Sequence, residues 1–168
     1  MTAQPPETNP FGIPTTTGPQ PIRSSQGTLN KFIRVLLRVP VLSGVVGKRL
    51  LILHVVGRKT GKVYDVPLAY TRHEGELLIG TANHPWVRNI RKDVPLEISA
   101  GGPRRTMDAE VHTDSESVMR LYEIVARDNA RNAAFNGIGF DPDGSPHRAD
   151  IYQTWQQGGV VIRLTPHR

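Results

Sequence analysis

The fold is decided by the stretch Leu50-Leu-Ile-Leu-His-Val-Val-Gly-Arg-Lys-Thr-Gly-Lys-Val-Tyr-Asp-Val-Pro-Leu-Ala-Tyr70, in which two apolar segments flank a positively charged turn. The first segment is aliphatic apart from one histidine, and the second alternates between two faces, as β-strands do. Gly57 and Gly61 bracket the turn, where they can supply the positive φ of a tight connection. The stretch predicts a β-hairpin, and Pro67 places its second strand, residues 62–70, at an edge or a bulge.

Further short strand patterns follow along the chain, separated mostly by turns. They lie at residues 76–81, 96–99, 104–111 and 159–164. Residues 72–75 predict a tight turn between the second and third strands. Because long helical crossovers are largely missing, the pattern favours an antiparallel barrel over a doubly wound parallel sheet. The predicted fold class is therefore α+β, mainly β.

Helical patterns occur in four places. They lie at residues 28–39, 85–92, 113–131 and 149–156. The third begins with Thr113-Asp-Ser-Glu116, which has the form of a capping box. Residues 132–147 are rich in Gly, Pro and Asp and predict a long loop, of the kind that often forms a lid or a binding loop.

The chain of 168 residues suits one domain. Residues 1–27 carry six prolines and little apolar material, so we expect a flexible arm followed by a single domain over residues 28–168. The first residues do not show a basic segment followed by an apolar one, which predicts a cytoplasmic protein.

Positive charge is concentrated in one part of the chain. The formal net charge is +6, and residues 28–64 contain eight Lys and Arg with no Asp or Glu. This asymmetry indicates an anionic partner: a nucleic acid, a lipid surface or a phosphorylated small molecule. Nucleic acid is disfavoured because aromatic residues are not interleaved along the basic run. The amphipathic helix at 28–39 fits both a cover over the core and peripheral contact with the inner face of the membrane.

Several site classes are excluded by composition and spacing. The chain has no Cys, which rules out disulfides, thiolate zinc sites and cysteine nucleophiles. The histidines form no i, i+4 pair, and we predict no metal site. The sequence also lacks a Walker loop, a nucleophile elbow and a dinucleotide fingerprint that follows a strand. Redox chemistry would therefore need a bound organic cofactor.

Three motifs can carry chemistry, and each also has a purely structural interpretation. The turn at 57–62 is either a solvated hairpin tip or a receptacle for a phosphate or carboxylate. Trp86 either closes the barrel end or stacks on a planar ligand. Tyr152 and Trp155 either pack at the domain edge or border a pocket where the tyrosine donates a proton.

Together these motifs carry a family resemblance. Residues 53–68, Gly80, residues 85–90 and residues 152–155 resemble the deazaflavin-dependent nitroreductase family, in matching order and spacing across residues 28–165. The resemblance implies a split β-barrel that binds coenzyme F420, an 8-hydroxy-5-deazaflavin with a phosphate and a glutamate tail. It also implies hydride transfer from the reduced cofactor to a small organic acceptor such as a quinone, an enone or a nitroaromatic.

The resemblance also assigns roles to particular residues. For cofactor binding these are Arg58, Lys59 and Thr60 at the phosphate, Lys62 at the carboxylates, and Pro67, Trp86 and Asn89 elsewhere in the cofactor site. Tyr152 matches a tyrosine at the substrate pocket and is the expected catalytic residue, with Trp155 beside it. The chain departs from the family at Tyr64, where an Arg is common. FMN binding in the same barrel and a non-catalytic role remain alternatives, and a homodimer is plausible by analogy.

Overall fold

The structure is a computed structural model that describes residues 8–19 and 49–168. Its main element is one sheet of seven antiparallel strands. The strands are β1 (Leu50–Val56), β2 (Val63–Ala69), β3 (Thr71–His73), β4 (Glu76–Ala82), β5 (Leu96–Ser99), β6 (Arg105–His112) and β7 (Gly159–Pro166). This curled sheet confirms the predicted fold class. The predicted helix at 28–39 and its membrane contact lie outside the described residues.

The sheet is curled because its two edges are neighbours along the chain. The strand order is β2-β1-β5-β6-β7-β4-β3, so β2 and β3 form the edges. Only Tyr70 lies between them, and its backbone N–H donates to the Arg49 carbonyl at 3.0 Å. A flat sheet would separate two edges seven strands apart by far more than one residue can span. The sheet therefore bends into a half-barrel that brings its edges together.

The predicted second strand is divided in the structure. Residues 62–70 were expected to form one strand, but β2 ends at Ala69 and the chain starts β3 on the far edge. The tight turn at 72–75 is confirmed, although it joins β3 to β4. Residues 72 and 73 belong to β3, and the two residues that connect the strands, Glu74 and Gly75, have positive φ, which matches the twist of a two-residue hairpin. The edge position predicted from Pro67 is confirmed by the place of β2 in the sheet.

Four short helices complete the described fold. They are a 3-10 helix (Pro85–Asn89), α1 (Ser115–Asp128), α2 (Ala130–Phe135) and α3 (Arg148–Gln156). Within the described residues, no helix combines the length and the apolar character that a membrane span requires.

The helix predictions are wrong in several details. The helix expected at 85–92 ends at Asn89, and the one expected at 113–131 ends at Asp128. The cap of α1 is Asp114 instead of Thr113, and its carboxylate accepts from Ser117 N–H at 2.8 Å, which lowers the pKa of Asp114. A carboxylate satisfies this free N–H and also interacts favourably with the helix dipole. The loop expected at 132–147 begins later, because α2 extends to Phe135 after a cap from Asn129.

The sheet separates two apolar clusters. Along β4, Leu78 and Ile79 point to opposite faces, as do Val161 and Ile162 along β7. The inner cluster fills the concave side and consists of Leu51, Leu53, Val55, Tyr70, Ile79, Ile98, Met107, Ala109, Ile162 and Leu164. The outer cluster joins the convex side to the helices and consists of Leu78, Val118, Met119, Leu121, Tyr122, Val125, Ala126, Ala133, Ile138, Ile151, Tyr152 and Val161.

Residues 9–18, which we call the strap, lie against α3 and the loop that precedes it. Asn9 Nδ2 donates to the Ala149 carbonyl at 2.8 Å, and Thr15 bonds to the Asp150 carboxylate. Composition predicted a flexible arm over residues 1–27. The structure differs within the strap, where specific hydrogen bonds to distant residues hold an otherwise irregular segment.

Candidate functional site

The topology brings the predicted motifs to one end of the sheet. β1, β4 and β6 run in the same direction, because each is related to the next by two antiparallel pairings. Their carboxyl ends therefore lie together with the amino ends of β2 and β7, and we call this the site end. Residues 57–62 follow β1, the 3-10 helix follows β4 and Thr113 follows β6.

Backbone hydrogen bonds within residues 57–62, which we call the cationic turn, fix its conformation. Gly57 N–H donates to the Lys62 carbonyl at 2.8 Å, and Gly61 N–H donates to the Gly57 carbonyl at 2.7 Å. Gly61 has a φ of +66°, which favours glycine. A Cβ on Gly57 would lie 2.9 Å from Thr60 Oγ1. The positive φ expected at both glycines is confirmed for Gly61 only; Gly57 does not have a positive φ, and a side chain there would instead be crowded by Thr60.

A hydrogen bond joins the cationic turn to the 3-10 helix. Arg58 N–H donates to Asn89 Oδ1 at 3.2 Å. Asn89 is the last residue of that helix, and Trp86 on the same helix is half-buried against the inner cluster. The structure thus brings Arg58, Asn89 and Trp86, which the sequence places in separate motifs, into one corner of the site end.

The charges of this corner fit a polyanionic group. Arg58, Lys59 and Lys62 are exposed, and none forms an ion pair with a carboxylate of the described residues. Some exposed cations elsewhere, among them Arg105 and Arg120, likewise have no such partner within the described residues, whereas four others form ion pairs. These pairs are Arg49–Asp128, Lys92–Glu110, Arg104–Glu97 and Arg127–Glu123. Three adjacent cations without carboxylate partners repel each other, and a bound phosphate or carboxylate would relieve that repulsion.

Two further cations lie beside this corner and were missing from the predicted site. Arg88 lies within the 3-10 helix, and Arg91 follows it by two residues; both are exposed. The signal for them is their position in the sequence immediately around Asn89. They extend the positive surface from the turn along the helix.

The remaining predicted cofactor residues are placed differently. Thr60 lies in the turn, where its Oγ1 accepts from Lys62 N–H at 3.3 Å. Pro67 pairs with Ile52 in the middle of β2, five residues from Lys62, so the structure does not bring it to the cationic turn. Tyr64, where the family commonly has Arg, lies under the Lys62 ammonium, which is 5.9 Å from the ring centroid. This cation–π contact orients Lys62.

Sequence reasoning missed a polar clamp behind the turn. His54 Nδ1 is 2.8 Å from Asp65 Oδ1, and His54 Nε2 is 2.8 Å from Ser99 Oγ. The imidazole is 7% exposed and connects β1 to β2 and to β5. The clamp therefore fixes the hairpin that carries the cationic turn. His54 lies three positions before Gly57 and Asp65 three positions after Lys62, and this symmetry about the turn could have revealed their pairing, since a hairpin pairs such residues.

Tyr152 and Trp155 lie together on α3, one turn apart. Their ring centroids are 5.1 Å apart, and Trp155 Nε1 donates to the Thr113 carbonyl at 2.9 Å. Both rings pack with the outer cluster, whereas Trp86 packs with the inner cluster. The two tryptophans therefore lie on opposite faces of the sheet. They approach the same end, because Asn83 N–H, just before the 3-10 helix, donates to the Gly158 carbonyl, just after α3, at 2.8 Å.

The fold and this site define a class: a split β-barrel with a cationic turn and an aromatic residue at one end. A sequence model of the F420H2-dependent quinone reductase family matches residues 37–136, more than half of the chain. The protein belongs to this family of reductases. The match includes the cationic turn and the 3-10 helix and ends before α3, so Tyr152 and Trp155 lie beyond it.

Several solved structures are similar to this chain at low sequence identity. One described as a domain-swapped dimer is 14% identical, with a TM-score of 0.50, covering 82% of this chain and 96% of that one. An F420-H2 dependent reductase, FDR-A, is 15% identical, with a TM-score of 0.47, covering 69% and 94%. An FMN binding protein from Nostoc punctiforme, related to pyridoxamine 5'-phosphate oxidase, is 19% identical, with a TM-score of 0.48, covering 84% and 82%. A comparison with curated proteins gives no match.

Proposed function

We propose that this protein binds coenzyme F420 at the site end and reduces a small organic acceptor, such as a quinone, an enone or a nitroaromatic. The observation that carries the proposal is the hydrogen bond from Arg58 N–H to Asn89 Oδ1, because it fixes the cationic turn beside the helix that bears Trp86. Membership of the F420H2-dependent quinone reductase family supports the choice of cofactor.

In this proposal the cationic turn holds the anionic tail. The Arg58 guanidinium and the Lys59 ammonium bind the phosphate, and Lys62 binds the nearby carboxylates. The Thr60 hydroxyl accepts from Lys62 N–H, which leaves its own proton free to donate to a phosphate oxygen. Trp86 offers an apolar face to a planar ring, and Asn89 holds the cationic turn beside the 3-10 helix.

The acceptor lies on the α3 side of the site end. The bound cofactor supplies a hydride, and a quinone that takes up this hydride and one proton becomes a hydroquinone. We assign donation of that proton to Tyr152 Oη, and Trp155 forms a wall of the pocket. The task of the protein is to hold donor and acceptor at a reactive separation of about 3–3.5 Å while water is excluded.

A direct binding comparison tests the cofactor assignment. Fluorescence polarisation of the purified protein with coenzyme F420 and with FMN is expected to show tighter binding of the deazaflavin. Binding of FMN alone would overturn the assignment in favour of a flavin-binding barrel.

Turnover tests the reductase assignment separately. Oxidation of reduced F420 by menadione is followed at the absorbance of the cofactor, and we expect steady catalysis that falls in Tyr152→Phe while cofactor affinity stays unchanged. Binding of the cofactor without turnover on any of the three acceptor classes would indicate a non-catalytic carrier. Unchanged turnover in Tyr152→Phe would show that this tyrosine only lines the pocket and does not donate the proton.

The structure described as a domain-swapped dimer supports, at the level of the fold, a proposal that this chain also forms a homodimer. Sedimentation equilibrium measures this directly, and a single species at 18.6 kDa would contradict it.

A further inference from the structure

The strap is anchored on a buried carboxylate. Asp150, in the first turn of α3, is 0% exposed. Its Oδ1 accepts from Thr15 N–H at 2.6 Å, and its Oδ2 accepts from the Thr15 hydroxyl at 2.6 Å and from Gly139 N–H at 2.9 Å. Two of these three donors belong to the strap. Because a buried carboxylate without donors is strongly unfavourable, Asp150 favours the docked strap.

The strap also fits the loop before α3 by close backbone approach. The Thr16 hydroxyl donates to the Gly137 carbonyl. A Cβ on Gly137 would lie 2.2 Å from the backbone of Gly18, and both glycines have positive φ. Gly137 therefore could not be replaced without moving the two segments apart, whereas a Cβ on Gly18 would meet the side chain of Gln157.

The docked strap covers Tyr152. The ring centroid of Phe11 lies 5.6 Å from that of Tyr152, which in turn stacks at a tilt against Trp155. The Arg148 guanidinium lies over the Phe11 ring, 4.7 Å from its centroid. Tyr152 is 8% exposed, whereas Phe11 remains 39% exposed. Phe11 is thus the outer member of a row of three aromatic rings.

From this arrangement we propose that Phe11 is an acceptor-selecting residue and that the strap, fixed by Asp150, is the outer wall of the acceptor pocket at Tyr152. The proposal rests on the proposed function, since it takes Tyr152 to border the acceptor. With the strap docked, only a flat, small acceptor can reach the row of rings. An acceptor with a bulky substituent must displace the Phe11 ring.

The first test compares two acceptors in two strap variants. Phe11→Ala removes the outer ring, and Ile13→Ala is the matched control, because Ile13 belongs to the same strap and is 88% exposed. The ratio of kcat/KM for a quinone with a long side chain to that for menadione is expected to rise about tenfold in Phe11→Ala. It should stay at the wild-type value in Ile13→Ala. An equal ratio in all three proteins would overturn the proposal.

The second test does not depend on turnover. In a Trp86→Phe background, Trp155 is the remaining tryptophan, and its quenching by acrylamide reports access to the ring row. Thr15→Val removes the hydroxyl that donates to Asp150 Oδ2, and we expect quenching to increase in this variant and in Phe11→Ala. Ile13→Ala is again the control.

The two tests separate this inference from the proposed function. Absence of F420 binding and turnover in every variant would contradict the proposed function, while increased quenching in Phe11→Ala and Thr15→Val would still support the strap as the cover of Tyr152. Unchanged quenching in both variants would contradict the claim that the strap covers Tyr152, regardless of which acceptor the enzyme reduces.

Discussion

Arg58 N–H donates to Asn89 Oδ1 across 31 positions of sequence, and this hydrogen bond sets the distance between the cationic turn and the 3-10 helix. It uses the backbone of Arg58, so the guanidinium stays available for a ligand. Arg58 thus fixes the position of the turn through its backbone N–H and gives the turn a positive charge through its side chain. In the proposed function, its partner Asn89 acts on cofactor binding only through the position of the turn.

Asn89→Ala is expected to weaken cofactor binding. Loss of one hydrogen bond of ordinary strength, about 0.5–1.5 kcal/mol, corresponds to a roughly 3–10-fold rise in Kd. Asn83→Ala is the matched control, because Asn83 is an exposed asparagine before the same helix whose side chain makes no hydrogen bond with a described group. Titration of F420 fluorescence measures both, and equal effects in the two variants would remove the special role of Asn89.

Arg58→Ala and Lys59→Ala are expected to weaken cofactor binding more at low salt than at high salt. Their side chains are exposed, so dissolved ions screen what they contribute once the Debye length falls below about 10 Å. Arg120→Ala, which removes an exposed cation on α1, should leave Kd unchanged at every ionic strength. If Kd of the two turn variants has no salt dependence, the phosphate does not bind at the cationic turn.

Gly80→Ala is expected to destabilise the fold. The new Cβ would lie 2.6 Å from Cε1 of Tyr122, whose ring is 1% exposed and has no free space to move into. Overpacking of this kind costs roughly 1–3 kcal/mol in the free energy of unfolding. Gly102→Ala, at an open position with nothing within 4 Å, should change that free energy little. Urea denaturation of both variants decides between these expectations.

His147 should make the stability of the strap depend on pH. Its Nδ1 is 2.6 Å from Asp141 Oδ1 and its Nε2 is 3.3 Å from the Ile13 carbonyl in the strap. The hydrogen bond to Asp141 raises the pKa of His147, with smaller contributions from the Ile13 carbonyl and from the charge of Asp150. Because the folded-state pKa is raised, the stabilisation is complete below the unfolded pKa of about 6.5 and is lost as pH rises through the raised value.

We therefore expect the free energy of unfolding of His147→Gln to approach that of wild type above the raised pKa and to fall short of it at about pH 6. Urea denaturation across this range measures the difference. His73→Gln, in the edge strand β3, should keep the pH dependence of the wild type. A constant difference between wild type and His147→Gln would show that protonation of His147 does not matter to the strap.

Local structure could be predicted well from the sequence where one short segment contains all the residues that determine it. The hairpin at 50–70 is visible in its apolar alternation and its glycines, and Pro67 restricts its second strand to an edge or a bulge, of which the structure shows the edge. The tight turn before β4 is equally local. In the candidate site, the concentration of cations in one turn can be seen directly in the sequence Gly57-Arg-Lys-Thr-Gly61-Lys62.

Features that depend on distant partners could not be read in this way. Composition gives residues 9–18 the signature of a flexible segment, because their partners at Gly137 and Asp150 are more than 120 positions away. The break at Tyr70 has no local signal either, since β3 is defined by its pairing with β4. The placement of Trp86 and Trp155 on opposite faces likewise follows from which face each helix covers.

The single residue between β2 and β3 also affects how the protein meets other chains. An exposed edge strand is a template on which a foreign strand can be added, and a sheet normally has two such edges. Here the chain joins the two edges through Tyr70, whose N–H already donates to the Arg49 carbonyl, so an incoming strand cannot pair at that point. Within the described residues β2 and β3 are not paired with each other away from Tyr70, so the connection limits strand addition at one end of each edge.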